Sequence, residues 1–175
     1  MRTKPLLRHG RWLLPVFLAF CSLAPAGSAQ TIIVVRHAER AGGTGPEVGL
    51  SKAGQLRAQV LAAMLADAGV KHIYTSEVAR TQQTAEPLAT RLGLHAEVVA
   101  ANDYDGLIAK LRAGGSAGAA LVVGHSNTVP EIVSRLGGGA VPPIEDNEFD
   151  RLYVVTLTGA NRASVVLLRY PGATR

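Results

Sequence analysis

The chain has 175 residues, 47% of them hydrophobic and 18% charged, with a formal charge of +5 and one cysteine. Its length suits one domain around one core. The charge gives no ground for a nucleic-acid or membrane partner: Arg2, Lys4, Arg8 and Arg11 precede Gln30 with no acid among them, and the remainder carries fourteen bases against thirteen acids, a net of +1.

Residues 1–29 read as a secretory signal. The basic start is followed by the apolar stretch Trp12–Leu23 and by small residues up to Gly27-Ser28-Ala29, with cleavage after Ala29. The apolar stretch is short for a membrane span and Pro15 interrupts it, so no anchor is expected after cleavage. Phe20 before Cys21 stands where lipid attachment needs a small residue. The only Cys and the only Trp lie in this leader, so residues 30–175 have no thiol for a disulfide or a metal. The expectation is an exported protein, periplasmic or secreted, with a single domain over 30–175.

Along that domain, the β-branched run Thr31–Arg36 predicts a buried strand. It ends in the ionisable cluster Arg36-His37-Ala38-Glu39-Arg40 and the Gly-rich loop Ala41–Pro46. Ser51 is a good N-cap for a helix over Lys52–Ala68 that stops at Gly69. A strand over His72–Thr75 leads to a helix over Ala79–Leu92, with Pro87 as an irregularity and Gly93 as the stop. Then come a strand Ala96–Ala100, a helix Gly106–Ala113 ending at Gly114-Gly115, and a strand Ala119–Val123. A helix Val129–Leu136 ends at Gly137-Gly138-Gly139, and the strands Leu152–Thr158 and Ser164–Tyr170 join through a hairpin at Gly159-Ala160-Asn161. Strand–helix alternation predicts an α/β fold: one three-layer domain, a mainly parallel sheet with helices on both faces and an antiparallel C-terminal edge.

Ligands bind such sheets at the carboxyl ends of the strands. Two strands end alike there, one in Arg36-His37 and the other in Gly124-His125-Ser126-Asn127. An imidazole beside a guanidinium suits an anion, phosphate above all.

Four blocks, in order, resemble the histidine phosphatase (phosphoglycerate-mutase-like) superfamily. Arg36-His37 is similar to its Arg-His-Gly signature, with Ala38 in place of Gly, and Leu50–Ala58 to the stretch opening its first helix. Tyr74–Ala85 resembles its Ser-x-x-x-Arg-x-x-Gln-Thr-Ala segment, and Val123-Gly124-His125-Ser126 its second-histidine motif.

The resemblance implies a metal-independent phosphatase without cofactors. His37 would attack phosphorus to give a phosphohistidine that water hydrolyses. Its other ring nitrogen needs an acceptor, a backbone carbonyl being the natural one, to fix the tautomer. Arg36 and Arg80 would clamp the phosphate oxygens bidentately. His125, cationic when phosphate is bound, would stabilise charge on the equatorial oxygens, and the backbone near Ser126-Asn127 would add amide donors. For the leaving group's proton the candidates are Asp103 and Asp105, with Glu39 as runner-up. The stretch between Arg80 and His125 lacks the insertion of true mutases and resembles the small bacterial phosphohistidine phosphatases. The partner is a small phosphorylated substrate, a phosphomonoester first, with phosphohistidine or pyrophosphate remaining open.

Several residues carry a plainer reading. His72 and His95 have no motif around them and read as structural. Arg40 and Arg57 either widen the anion site or are surface charges. Gly42, Gly43 and Gly45 belong to a loop with no P-loop lysine. The acidic run Glu145–Asp150 reads as solvated, with repulsion of polyanions at the substrate mouth as the other reading. Two competing functions remain: a binding protein that keeps the phosphate pocket without turnover, and a metal site built on His37 and His125, which Arg36 and Arg80 would oppose.

Overall fold

The computed structural model describes residues 29–114, 118–159 and 162–172; the leader over 1–28 and the hairpin residues Ala160 and Asn161 lie outside them. Strands β1 (Gln30–Arg36), β2 (Val70–Thr75), β3 (Ala96–Val98), β4 (Ala119–Gly124), β5 (Arg151–Gly159) and β6 (Arg162–Arg169) form one sheet in the order β3-β2-β4-β1-β5-β6. The first four run parallel, and β5 and β6 add antiparallel strands beside β1. Helices α1 (Lys52–Leu65), α2 (Ala79–Leu92), α3 (Tyr104–Ala113) and α4 (Thr128–Val133) connect them.

Period-two alternation in the central strands divides the core in two. Ile32 and Val34 of β1, Ala120 and Val122 of β4, and Tyr153 and Val155 of β5 face Leu107 and Leu111 of α3 and Val129 and Ile132 of α4. Their neighbours Ile33, Val35, Leu121, Val123 and Leu152 pack on Leu61 and Leu65 of α1 and on Ala85 and Leu88 of α2. Both faces of β1 and β4 are therefore covered, which is why these strands read as unbroken apolar runs rather than alternating ones. The three-layer expectation matches this architecture.

Local signals set the element ends with differing success. Ser51 caps α1 through Gly54 N at 3.1 Å, and Gly93, at φ 65°, closes α2, which continues through Pro87. Helix α1 stops at Leu65 rather than Ala68, and β3 ends at Val98 rather than Ala100. Helix α3 starts two residues before Gly106, because Asp103 caps it by accepting from Gly106 N at 3.0 Å. The expected helix Val129–Leu136 is the single α-helical turn and a half of α4 followed by a π-helical turn over Ser134–Gly138, where Gly137 takes φ 94°.

Gly54 has a packing reason for standing in a helix. A Cβ there would lie 2.1 Å from the carbonyl oxygen of Glu39, two residues beyond His37, so α1 rests directly on the backbone of the loop after β1. Alanine is the better helix former by about 1 kcal/mol, yet we expect Gly54→Ala to lower the melting temperature. A stabilised variant in thermal unfolding would show that this contact does not hold the loop.

Candidate active site

The register of β1 on β4 builds the site. Arg36 lies opposite Gly124, so His37 and His125 leave the sheet side by side, and His37 N donates to Gly124 O at 2.9 Å. Their ring centroids are 5.4 Å apart in an edge-to-face arrangement. His37 is 4% exposed. Its Nδ1 lies 2.7 Å from the carbonyl oxygen of Ala38, which makes Nδ1 the protonated nitrogen and leaves the Nε2 lone pair free. Arg80 Nε donates to that lone pair at 3.1 Å, and Arg80 Nη1 to Gly45 O at 3.3 Å.

The Ser-x-x-x-Arg-x-x-Gln-Thr-Ala segment holds this arrangement from beneath. Thr84 Oγ1 accepts from Ala38 N at 3.0 Å and donates to Arg80 O at 2.7 Å, tying the two chains that carry His37 and Arg80. Gln83 Oε1 accepts from Leu50 N at 2.7 Å, and Ala85 is fully buried. Ser76 and Thr81, both buried, are 3.0 Å apart and shape the turn into α2. His125 N donates to Thr128 Oγ1 at 2.8 Å across the short turn of Ser126 and Asn127 into α4.

Arg36 is 8% exposed and its Nη1 donates to the carbonyls of Glu145, Asp146 and Glu148 at 2.7, 3.1 and 2.9 Å. Its guanidinium carbon lies 4.2 Å from the centre of the Phe149 ring, which is itself 6.2 Å from the His37 ring. Arg36 Nε and His125 Nε2 are buried without a partner in the protein. Buried polar atoms are normally satisfied; two unsatisfied ones beside His37 mark a place built for a polar ligand.

The electrostatics agree. Burial, reinforced by the positive charge of Arg80 and by His125 and Arg36, holds His37 down to about 3, against the raising effect of its bond to Ala38. Burial and then Arg80 also hold His125 below the ordinary imidazole value, with Glu77 opposing. Burial likewise lowers Arg36 and Arg80; Asp146 and Glu148 oppose it at Arg36 while Arg80 and Arg40 add to it, and Arg40 adds to it at Arg80. The charges that bear most on His37 are positive, as suits an anion pocket.

The candidate acids fare differently. The Asp105 side chain is 93% exposed and pairs with Arg135 at 2.8 Å, so the structure turns it to the outer surface of α3 rather than to the histidines. Asp103, the cap of α3, lines a small cavity of about 20 Å³ that also takes in Thr75, Tyr104 and His125. Glu39 is held by Arg57, with Nε at 2.9 and 3.0 Å and Nη2 at 2.7 Å. Burial pushes the Glu39 carboxyl up, but those bonds outweigh it and keep it below its usual range, ionised and paired. Arg57 is thus a structural partner of Glu39 and Tyr170 rather than part of the anion pocket, whereas Arg40 is exposed and reaches only Gly43 O among side-chain bonds. His72 and His95 are exposed and away from the site elements' ends.

In the acidic run Glu145–Asp150 the residues Glu145 and Asp146 are exposed, as expected of a solvated run, but its backbone and Glu148 are engaged. Its backbone carbonyls hold Arg36, and the Glu148 carboxylate pairs with Arg151 at 2.5 Å. The sequence reading missed these carbonyls and Phe149, since main-chain acceptors leave no residue-type signal. The larger surface hollows, about 730 Å³ between α1 and α2 and about 670 Å³ beside α2 and β3, contain neither His37 nor His125. Among the described residues no group of three or more His, Cys, Asp and Glu stands ready to hold a metal ion.

Residues 32–103 match the family model of the histidine phosphatase superfamily (branch 1). Similar solved structures include the protein histidine phosphatase SixA complexed with tungstate, at 22% identity and a TM-score of 0.67, covering 79% of this chain and 96% of that one. The α-ribazole phosphatase of Shigella flexneri is similar at 15% identity and a TM-score of 0.63, covering 80% and 96%. In sequence, 83 residues are 39% identical to the PE-PGRS family protein PE_PGRS11 of Mycobacterium tuberculosis, covering 42% of this chain but only 14% of that protein.

Two measurements follow from the charge state. His37 stays neutral in the folded chain down to about 3 but protonates near the ordinary value of about 6.5 when unfolded. The unfolded state therefore binds more protons in between, and stability present above about pH 6.5 is lost as pH falls towards about 3. Urea midpoints of His37→Asn should fall less than those of the wild type between pH 7 and pH 5; equal slopes would mean that His37 is not buried neutral. His125, held neutral in the free site, should gain a proton when a dianion binds. Calorimetry of tungstate binding in buffers of different ionisation enthalpy should show proton uptake at neutral pH, weaker binding as pH rises, and loss of most of the uptake in His125→Gln.

Proposed function

We propose that the chain is an exported, metal-independent phosphatase that hydrolyses phosphomonoesters through a phosphohistidine on His37. The observation that carries this is the bond of His37 Nδ1 to Ala38 O, which leaves Nε2 unprotonated, its lone pair met by Arg80 Nε, in a pocket ringed by Arg36, Arg80 and His125. Phosphate would take Arg80 Nε away from His37 Nε2 and engage the unpartnered Arg36 Nε and His125 Nε2. Nε2 then attacks phosphorus; the N–P bond forms as the P–O bond to the leaving group breaks, and the imidazolium charge is carried by phosphohistidine. Water next attacks the same phosphorus, the N–P bond breaks with its electrons returning to Nε2, and inorganic phosphate leaves with the water's proton passed to solvent. The three cationic groups stabilise the transferring phosphoryl oxygens without a metal.

The acid for the departing oxygen is Asp103, the candidate that shares a cavity with His125. Its carboxylate already caps α3, and among the described residues no carboxylate hydrogen-bonds either histidine. This favours leaving groups that need little protonation: aryl esters, phosphoric anhydrides, or the N–P bond of phosphohistidine, the last in line with the named activity of the SixA neighbour. Export rests on the leader at 1–29, cleaved after Ala29.

Hydrolysis of an aryl phosphate with chelator present should fall at least about a thousandfold in His37→Ala. Phosphate binding without turnover in the wild type would instead support the binding-protein reading, and loss of activity to chelator would remove metal independence. Asp103→Asn should slow an alkyl phosphate by about a hundredfold while leaving the aryl ester within a few fold, with Asp105→Asn close to wild type on both. Equal slowing of both esters by Asp103→Asn would reject it as the proton donor.

A further inference from the structure

We propose that residues 145–149 form a strap that positions Arg36, with Phe149 as its positioning residue, so that one edge of the guanidinium faces phosphate and the other is held by main chain. The inference rests on the phosphatase reading above for the role of Arg36. Three carbonyls, of Glu145, Asp146 and Glu148, converge on Nη1 within 3.1 Å. A guanidinium nitrogen of this kind has only two protons, so that nitrogen is fully engaged and has none to offer a ligand. Nε, by contrast, is buried without a partner. The remaining Nε–Nη2 edge is the fork that matches two phosphate oxygens.

Phe149 fixes the plane of that fork. Its ring lies 4.2 Å from the guanidinium carbon, and the His37 ring lies 6.2 Å from it on the site side. The strap is closed on itself and tied to the sheet. Glu148 N donates to Glu145 O at 2.9 Å, and Glu145 N to the Glu148 carboxylate at 3.0 Å. That carboxylate pairs with Arg151 at 2.5 Å, and Arg151 Nη1 reaches Pro142 O at 3.1 Å. Arg151 opens β5, the strand beside β1, so the strap is anchored on the neighbour of the strand that carries Arg36. A long side chain that would otherwise sample several rotamers is thereby fixed before the ligand arrives, which removes an ordering cost from binding.

A double-mutant cycle on phosphate affinity separates positioning from mere support of the fold. Dissociation constants for inorganic phosphate are measured by calorimetry on the wild type, Phe149→Leu, Phe149→Tyr, Arg36→Lys and Phe149→Leu/Arg36→Lys. Lysine has no planar fork to orient. Arg36→Lys should weaken binding about tenfold or more, and Phe149→Leu about five- to tenfold. Phe149→Tyr, which keeps the ring, should stay within about twofold of the wild type. The double variant should bind no worse than Arg36→Lys alone.

Losses that multiply in the double variant, or wild-type affinity in Phe149→Leu, overturn the proposal. If Phe149→Leu does not fold, Glu148→Gln replaces it in the cycle, because it loosens the tie to Arg151 without touching the ring, and the same non-additivity is expected. The phosphatase reading fails by a different result: unchanged phosphate affinity in Arg36→Lys together with aryl phosphate hydrolysis that survives His37→Ala.

Discussion

The parallel register between β1 and β4 places Arg36 opposite Gly124, and the site follows from that single pairing. Adjacent strands lie about 4.8 Å apart, so two residues leaving the sheet at the same level arrive within contact of each other. The bond from His37 N to Gly124 O extends the ladder one step past the strand and makes the exit of His37 rigid. Everything else at the site either supports this junction or is aimed by it: Thr84 from α2, the Glu39 loop resting on Gly54, and the strap over Arg36.

Collecting three cationic or potentially cationic groups around a buried imidazole is unfavourable in the absence of an anion, and the structure shows how the fold tolerates it. His37 and His125 are held neutral by burial. Arg36 is held by main-chain carbonyls and an aromatic face, with the Asp146 and Glu148 carboxylates acting on it through space rather than by a hydrogen bond. The one carboxylate close in sequence, Glu39, is drawn off by Arg57, so it does not compete with phosphate for the pocket. A site arranged in this way rewards an incoming dianion with charge-assisted hydrogen bonds that no internal group already makes.

Much of this was legible in the chain. The strand-end histidines, Arg36 and Arg80 stand out because apolar runs stop abruptly in ionisable residues, and a sheet's carboxyl edge is where such residues meet. Ser51 and Gly93 signalled their helix ends because capping and left-handed geometry are local demands on residue type. Asp103 and Asp105 were harder. Both follow β3, but two steps along the chain decide that Asp103 caps α3 beside the His125 cavity while Asp105, in the first turn, points out to Arg135. Residue type cannot resolve a rotation of about 100° per residue about a helix axis whose start is uncertain by two residues.

The sequence by itself determined the alternation of strands and helices and the residues at the two strand ends, because hydrophobic period, caps and side-chain chemistry are properties of short segments. Only the tertiary structure decided where Asp103, Asp105 and Glu39 point and what holds Arg36. The contacts of Arg36 span more than 100 residues and run through backbone carbonyls, which every residue carries and no sequence pattern reports.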